Sequence, residues 1–116
     1  MTMKTKYRMG LLGLLLLPAT AFAHHPFGEC RYIEPTTIRC TGGFDAALLP
    51  NLPIEVLDDR DRVLIRGRLD ARASFTFARP AVPFYVLIDA GPGLVVEIDD
   101  SEVAPAAAVS RGRSGP

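Results

Sequence analysis

Phe84-Tyr85-Val86-Leu87-Ile88-Asp89-Ala90-Gly91-Pro92-Gly93-Leu94-Val95-Val96-Glu97-Ile98 decides the fold, because it opens on the most apolar run outside the leader. Phe84 to Asp89 is short, β-branched and aromatic, and is bounded by turn formers, so it reads as a central strand. Alternation along a strand predicts Phe84, Val86 and Ile88 on one face and Tyr85 and Leu87 on the other. Ala90-Gly91-Pro92-Gly93 turns the chain, and Leu94 to Ile98 supplies the next strand. Working backwards, Ser74-Phe75-Thr76-Phe77 alternates until Ala78-Arg79-Pro80-Ala81-Val82-Pro83 breaks it. Before that, Pro53-Ile54-Glu55-Val56-Leu57 leads through the polar turn Asp58-Asp59-Arg60-Asp61 into Arg62-Val63-Leu64-Ile65-Arg66-Gly67-Arg68, and Leu69-Asp70-Ala71-Arg72 turns again. No breaker-free stretch with helical periodicity follows the leader. The pattern predicts an all-β chain folded as a small antiparallel β-sandwich, with Phe75, Phe77, Phe84, Val86 and Ile88 in its core.

Further upstream stands Cys30-Arg31-Tyr32-Ile33-Glu34-Pro35-Thr36-Thr37-Ile38-Arg39-Cys40. A hairpin with Glu34-Pro35-Thr36 as its loop sets Ile33 opposite Thr37, Tyr32 opposite Ile38 and Cys30 opposite Cys40. Directly opposed residues in a non-hydrogen-bonded pair have Cα atoms about 4.5 Å apart, within disulfide range, and Pro35 falls where no ladder donor is needed. Two cysteines in a small exported chain are expected to pair. A redox or metal-binding pair is the competing reading, but nine intervening residues fit neither C-x-x-C nor a common zinc spacing.

Residues 1–23 carry the address. Lys4, Lys6 and Arg8 form a basic n-region, Leu11 to Leu17 an apolar h-region, and Ala21-Phe22-Ala23 a small-x-small cleavage site. This predicts a signal peptide cleaved after Ala23 and a mature protein delivered to the periplasm. The apolar run falls short of the roughly 18 to 20 residues that span a bilayer, so no membrane insertion of the mature chain is expected. What remains of the 116 residues suits a single domain over 24–103. A tail over 104–116, rich in alanine, glycine, serine and proline, is expected to be disordered. The leader holds three of the thirteen basic residues and none of the thirteen acids, so the mature chain is net acidic. Its remaining arginines are scattered among acids, which argues against nucleic acid as a partner.

The residues offer little for catalysis, and no enzymatic activity is expected. His24 and His25 are the only histidines, adjacent at the mature terminus, so no positioned base is foreseen for a nucleophile. Asp58, Asp59, Asp61, Asp70, Asp89, Glu97, Asp99 and Asp100 are candidate acids and bases, yet most fall in turns or at strand ends, where carboxylates are favoured for backbone reasons. Gly91-Pro92-Gly93 lacks the helix and lysine of a phosphate loop. Asp58-Asp59-Arg60-Asp61 lacks the glycine and distal glutamate of a calcium loop and reads as a hairpin tip.

Chemistry concentrates at the terminus. Cleavage after Ala23 would expose His24-His25-Pro26, whose α-amine and His24 imidazole form a chelate suited to Cu(II) or Ni(II), with His25 a further nitrogen and Glu29 a nearby oxygen donor. Cleavage after Ala21 would instead place His24 third, also a square-planar nitrogen site. The plain alternative is that two polar residues follow a cleavage site on a loose end.

The stretch Leu52 to Gly93, with its order Pro-Ile-Glu-Val-Leu-Asp, polar turn, Val-Leu-Ile-Arg-Gly-Arg-Leu-Asp, second turn, Phe-Thr-Phe and Phe-Tyr-Val-Leu-Ile-Asp-Ala-Gly, resembles the carboxypeptidase regulatory-like, or transthyretin-like, β-sandwich. That family usually has glycine in the second turn, where this chain has Ala73. The resemblance implies an Ig-like or transthyretin-like sandwich core following the disulfide hairpin. With the cysteine hairpin and the Asp-Ala-Gly-Pro-Gly turn, the layout is also similar to exported accessory proteins of bacterial nickel and cobalt uptake systems, which tend to be richer in histidine. This second likeness implies a non-catalytic accessory that handles Ni(II) or Co(II), with Cu(II) the chemical alternative, beside a membrane metal transporter or another exported protein. The first implies the alternative, a structural or protein- or polysaccharide-interaction module with no metal role.

Overall fold

The computed structural model describes residues 25–106; the leader, His24 and positions 107–116 of the expected tail lie outside them. Eight strands follow in order: β1 (Pro26–Glu34), β2 (Thr37–Phe44), β3 (Ala47–Leu48), β4 (Pro53–Asp58), β5 (Val63–Arg68), β6 (Ser74–Ala78), β7 (Phe84–Asp89) and β8 (Val95–Asp99). A short 3-10 turn, Asp100–Glu102, closes the series. No helix among the described residues is long and apolar enough to cross a membrane.

The strands form two antiparallel sheets. In the first, β2 pairs with β1 along one edge and with β6 and β3 along the other. In the second the order is β5-β4-β7-β8. Their apolar faces meet in one core that joins Cys30, Ile38, Cys40 and Phe77 of the first sheet to Ile54, Val56, Phe84, Val86, Ile88 and Ile98 of the second. Strand β7 has the expected alternation, with Phe84, Val86 and Ile88 buried and Tyr85 and Leu87 only partly covered. The rings of Phe77 and Phe84 meet edge to face across the sheets, 6.4 Å apart. Phe75 is half-buried rather than central; its ring lies against Gly67 of β5, where a side chain would collide with it.

Two glycines set the distance between the layers. Gly28 and Gly42 oppose each other in the β1–β2 ladder. Ile88 fills the hollow they leave: a Cβ built on Gly28 or Gly42 would lie 2.8 or 3.1 Å from its Cδ1. Such a knob over a bare patch of backbone gives close packing without overlap.

The cysteine hairpin forms in the expected register at its cysteines, with Cys30 opposite Cys40 joined as a disulfide, Cα atoms 4.0 Å apart, and Tyr32 opposite Ile38. Its tip is corrected. Glu34, not Ile33, pairs with Thr37, and Ile33 is the extra residue of a bulge. The turn therefore contracts to Pro35-Thr36, and the bulge absorbs the surplus residue while leaving the cysteines opposed. A second hairpin went unforeseen: Asp45 and Ala46, with φ of 53° and 68°, make a two-residue primed turn into β3. At the other end of the domain Ala104, set by its sequence at the head of the tail, pairs in parallel with Arg31. Its N–H donates to the carbonyl of Cys30 and its carbonyl accepts from the N–H of Tyr32, each at 2.9 Å.

Candidate functional site

His25 immediately precedes β1, and the ladder fixes what stands opposite it. Extending the β1–β2 register one step beyond Pro26 and Phe44 places His25 across from Asp45. The N–H of Asp45 donates to the His25 carbonyl at 2.9 Å, and the His25 N–H donates to Oδ1 of Asp45 at 3.2 Å. His25 is exposed, yet its backbone is held at both polar groups. Asp45 was missed in the sequence, although the signal existed: the pairing of Cys30 with Cys40, carried five steps back, already sets 25 against 45. Glu29 is a different matter. Four residues along an extended strand from His25, it stands about 13 Å away and cannot share an ion with it. Among the described residues no group of three or more His, Cys, Asp or Glu gathers in a metal-holding cluster.

The carboxylates singled out in the sequence mostly serve the backbone. Asp58, buried at the end of β4, accepts from the N–H of Arg60, the N–H of Arg62 and Nε of Arg62, each at 2.9 Å. These bonds, that to the Arg62 amide foremost, hold its pKa below the ordinary carboxyl value. Asp70 accepts from the N–H groups of Ser74 and Arg72, which lower its pKa in the same way. Asp99 caps the 3-10 turn through the hydroxyl and N–H of Ser101, and its pKa is lowered by them. Asp89 accepts from the Gly91 N–H and Asp100 from the Phe84 N–H. Asp61, at φ 63°, accepts the Tyr85 hydroxyl at 2.7 Å. That bond favours the neutral phenol, and the Tyr85 pKa is pushed up to about 12.

A hollow lies beyond the other end of β1. A cleft of about 320 Å³ is walled by Tyr32, the β6–β7 connection from Arg79 to Pro83, Phe84 and Asp100. The Arg79 N–H donates to the Thr36 carbonyl at 2.8 Å, tying the connection to the cysteine hairpin tip. The cleft and His25 flank opposite ends of a nine-residue strand and are separate features.

No protein-family model, curated protein or solved structure matches the chain. Its own geometry places it among small disulfide-stapled all-β modules of two antiparallel sheets.

Proposed function

We propose that this chain is an exported, non-catalytic accessory of transition-metal handling, in which the mature amino terminus at His24-His25 takes up Ni(II), Co(II) or Cu(II) for a membrane transporter or another exported protein. The observation that carries this reading is the tether of His25 to Asp45. A histidine pair on a loose end pays a large ordering cost on binding metal; a pair whose second backbone is fixed pays less. The α-amine and His24 imidazole would form the chelate ring, with the His25 imidazole as a further nitrogen donor. The His25 N–H stays with Asp45 throughout. A leader of signal-peptide type, a disulfide suited to an oxidising compartment and the likeness to nickel and cobalt accessory proteins support the same reading.

Calorimetry on protein processed at Ala23 tests it. One equivalent of Cu(II) or Ni(II) should bind, more weakly in acid because amine and imidazole must lose their protons, and more weakly when one residue is added before His24. A His24→Ala, His25→Ala double variant that gives the same isotherm would leave the interaction-module reading in its place.

A further inference from the structure

The outer face of the first sheet carries a charge arrangement that folding alone does not favour. Arg31 of β1 and Arg39 of β2 are directly opposed in the ladder. Like charges in that relation repel and reduce stability. Around the second sheet two arginines do meet acids, Nε of Arg62 in the β4–β5 turn with Asp58 and Nε of Arg66 in β5 with Glu55, each at 2.9 Å, while Arg68 donates to the Asn51 carbonyl. Among the described residues neither Arg31 nor Arg39 has an acidic partner at ion-pair distance. Arg39 Nε donates only to the Thr76 hydroxyl, at a long 3.4 Å, and the Arg31 side chain makes no hydrogen bond there. Two acids are close enough to matter. Glu29, two residues from Arg31 on the same face, forms no ion pair with either arginine, and the Asp70 carboxylate, held by the amides of Arg72 and Ser74, attracts Arg39 without reaching ion-pair distance. A depression of about 200 Å³ on this face is walled by Glu29, Arg31, Ile33, Arg39 and Thr41, so two cationic side chains stand against one acid in its lining and leave it net positive.

We propose that this depression is an oxyanion site, in which Arg31 and Arg39 together hold one sulfate, phosphate or carboxylate group. Guanidinium forks suit such groups because they offer paired parallel donors, and two of them around one anion turn mutual repulsion into shared attraction. Thr41 lines the depression and supplies a neutral hydroxyl donor, and Ile33 gives an apolar wall for the carbon skeleton of a larger ligand, while Thr76, on the far side of Arg39, accepts from that arginine's Nε. The site lies on a sheet face and does not depend on the terminal histidines.

NMR titration of the full mature chain, with inorganic sulfate, inorganic phosphate and oligogalacturonate in separate arms at fixed ionic strength, tests this. At least one arm should produce a saturable shift at the Nε–Hε signals of Arg31 and Arg39 and the amides of Thr41 and Thr76; the strongest arm identifies the group. Arg31→Gln should weaken that binding about tenfold while Arg68→Gln leaves it unchanged. In dilute chloride the Arg31→Gln protein should melt at or slightly above the unsubstituted one, since a repulsion has been removed. Shifts that fail to saturate, or saturate equally in Arg31→Gln, Arg39→Gln protein, would overturn the proposal. So would a lower melting point for Arg31→Gln, which would show the arginine to be structural.

Discussion

Asp58 and Tyr85 show how single residues tie this fold to pH. Asp58 is 4% exposed and fully committed to the Arg60–Arg62 turn. Its folded pKa lies below the ordinary value of 3.8, so its contribution to stability is complete above that value and is lost as pH falls through the folded one. Tyr85 behaves in the opposite sense. Its pKa is raised from 10.0 to about 12, so the folded state holds a proton the unfolded chain releases, and stability declines as pH rises across that interval. Urea midpoints measured against pH should therefore fall at both extremes. Asp58→Asn should flatten the acid limb and Tyr85→Phe the alkaline one; unchanged limbs would mean these bonds do not persist in solution. The sequence disclosed that these carboxylates sit in turns, yet it did not say which turn each would close. Asp61 meets Tyr85, 24 positions away in the chain, only because strands β4 and β7 pair, and no local pattern encodes that contact.

At the scale of elements, the strands that were legible are those whose alternation matches burial. β7 reads directly because one face enters the core and the other does not. The β2–β3 hairpin was illegible because its turn, Asp45-Ala46, lacks the glycine that usually marks a primed turn, and β3 is only two residues long. Ala73 is the same lesson in a buried place. It holds φ of 59° where a glycine would be expected, and its methyl group belongs to the core. An L-residue in the left-handed region is strained by about 1 kcal/mol or more. Ala46 is exposed and gains nothing from its side chain, so Ala46→Gly should stabilise the protein by about 1 kcal/mol in denaturant titration. At Ala73 the lost methyl burial, about 0.8 kcal/mol, should offset most of the relief. The hairpin tip differs for another reason: a bulge at Ile33 leaves the pairs toward the cysteines intact, so a reading anchored on the cysteines is right as far as Tyr32–Ile38 and fails beyond it, at the Ile33–Thr37 pair and the loop.

Across the whole molecule, the two sheets are fitted by Ile88 seated on Gly28 and Gly42. Periodicity indicates which residues face inward, but the complementary hollow appears only when two sheets are laid together. Gly42→Ala should cost about 1 to 3 kcal/mol by overpacking, and the Gly42→Ala, Ile88→Val pair should recover part of that loss. Additive losses would mean that the two positions do not share the space described. The disulfide Cys30–Cys40 closes the hairpin, and the proposed function adds export by residues 1–23 and a mature start at His24. A non-reduced intact mass of the protein recovered from the periplasm, after alkylation of any free thiol, tests that account most directly. The predicted mass is that of residues 24–116 less two hydrogens with no alkyl group added. A mass that retains the leader, begins elsewhere, or carries two alkyl groups would contradict it.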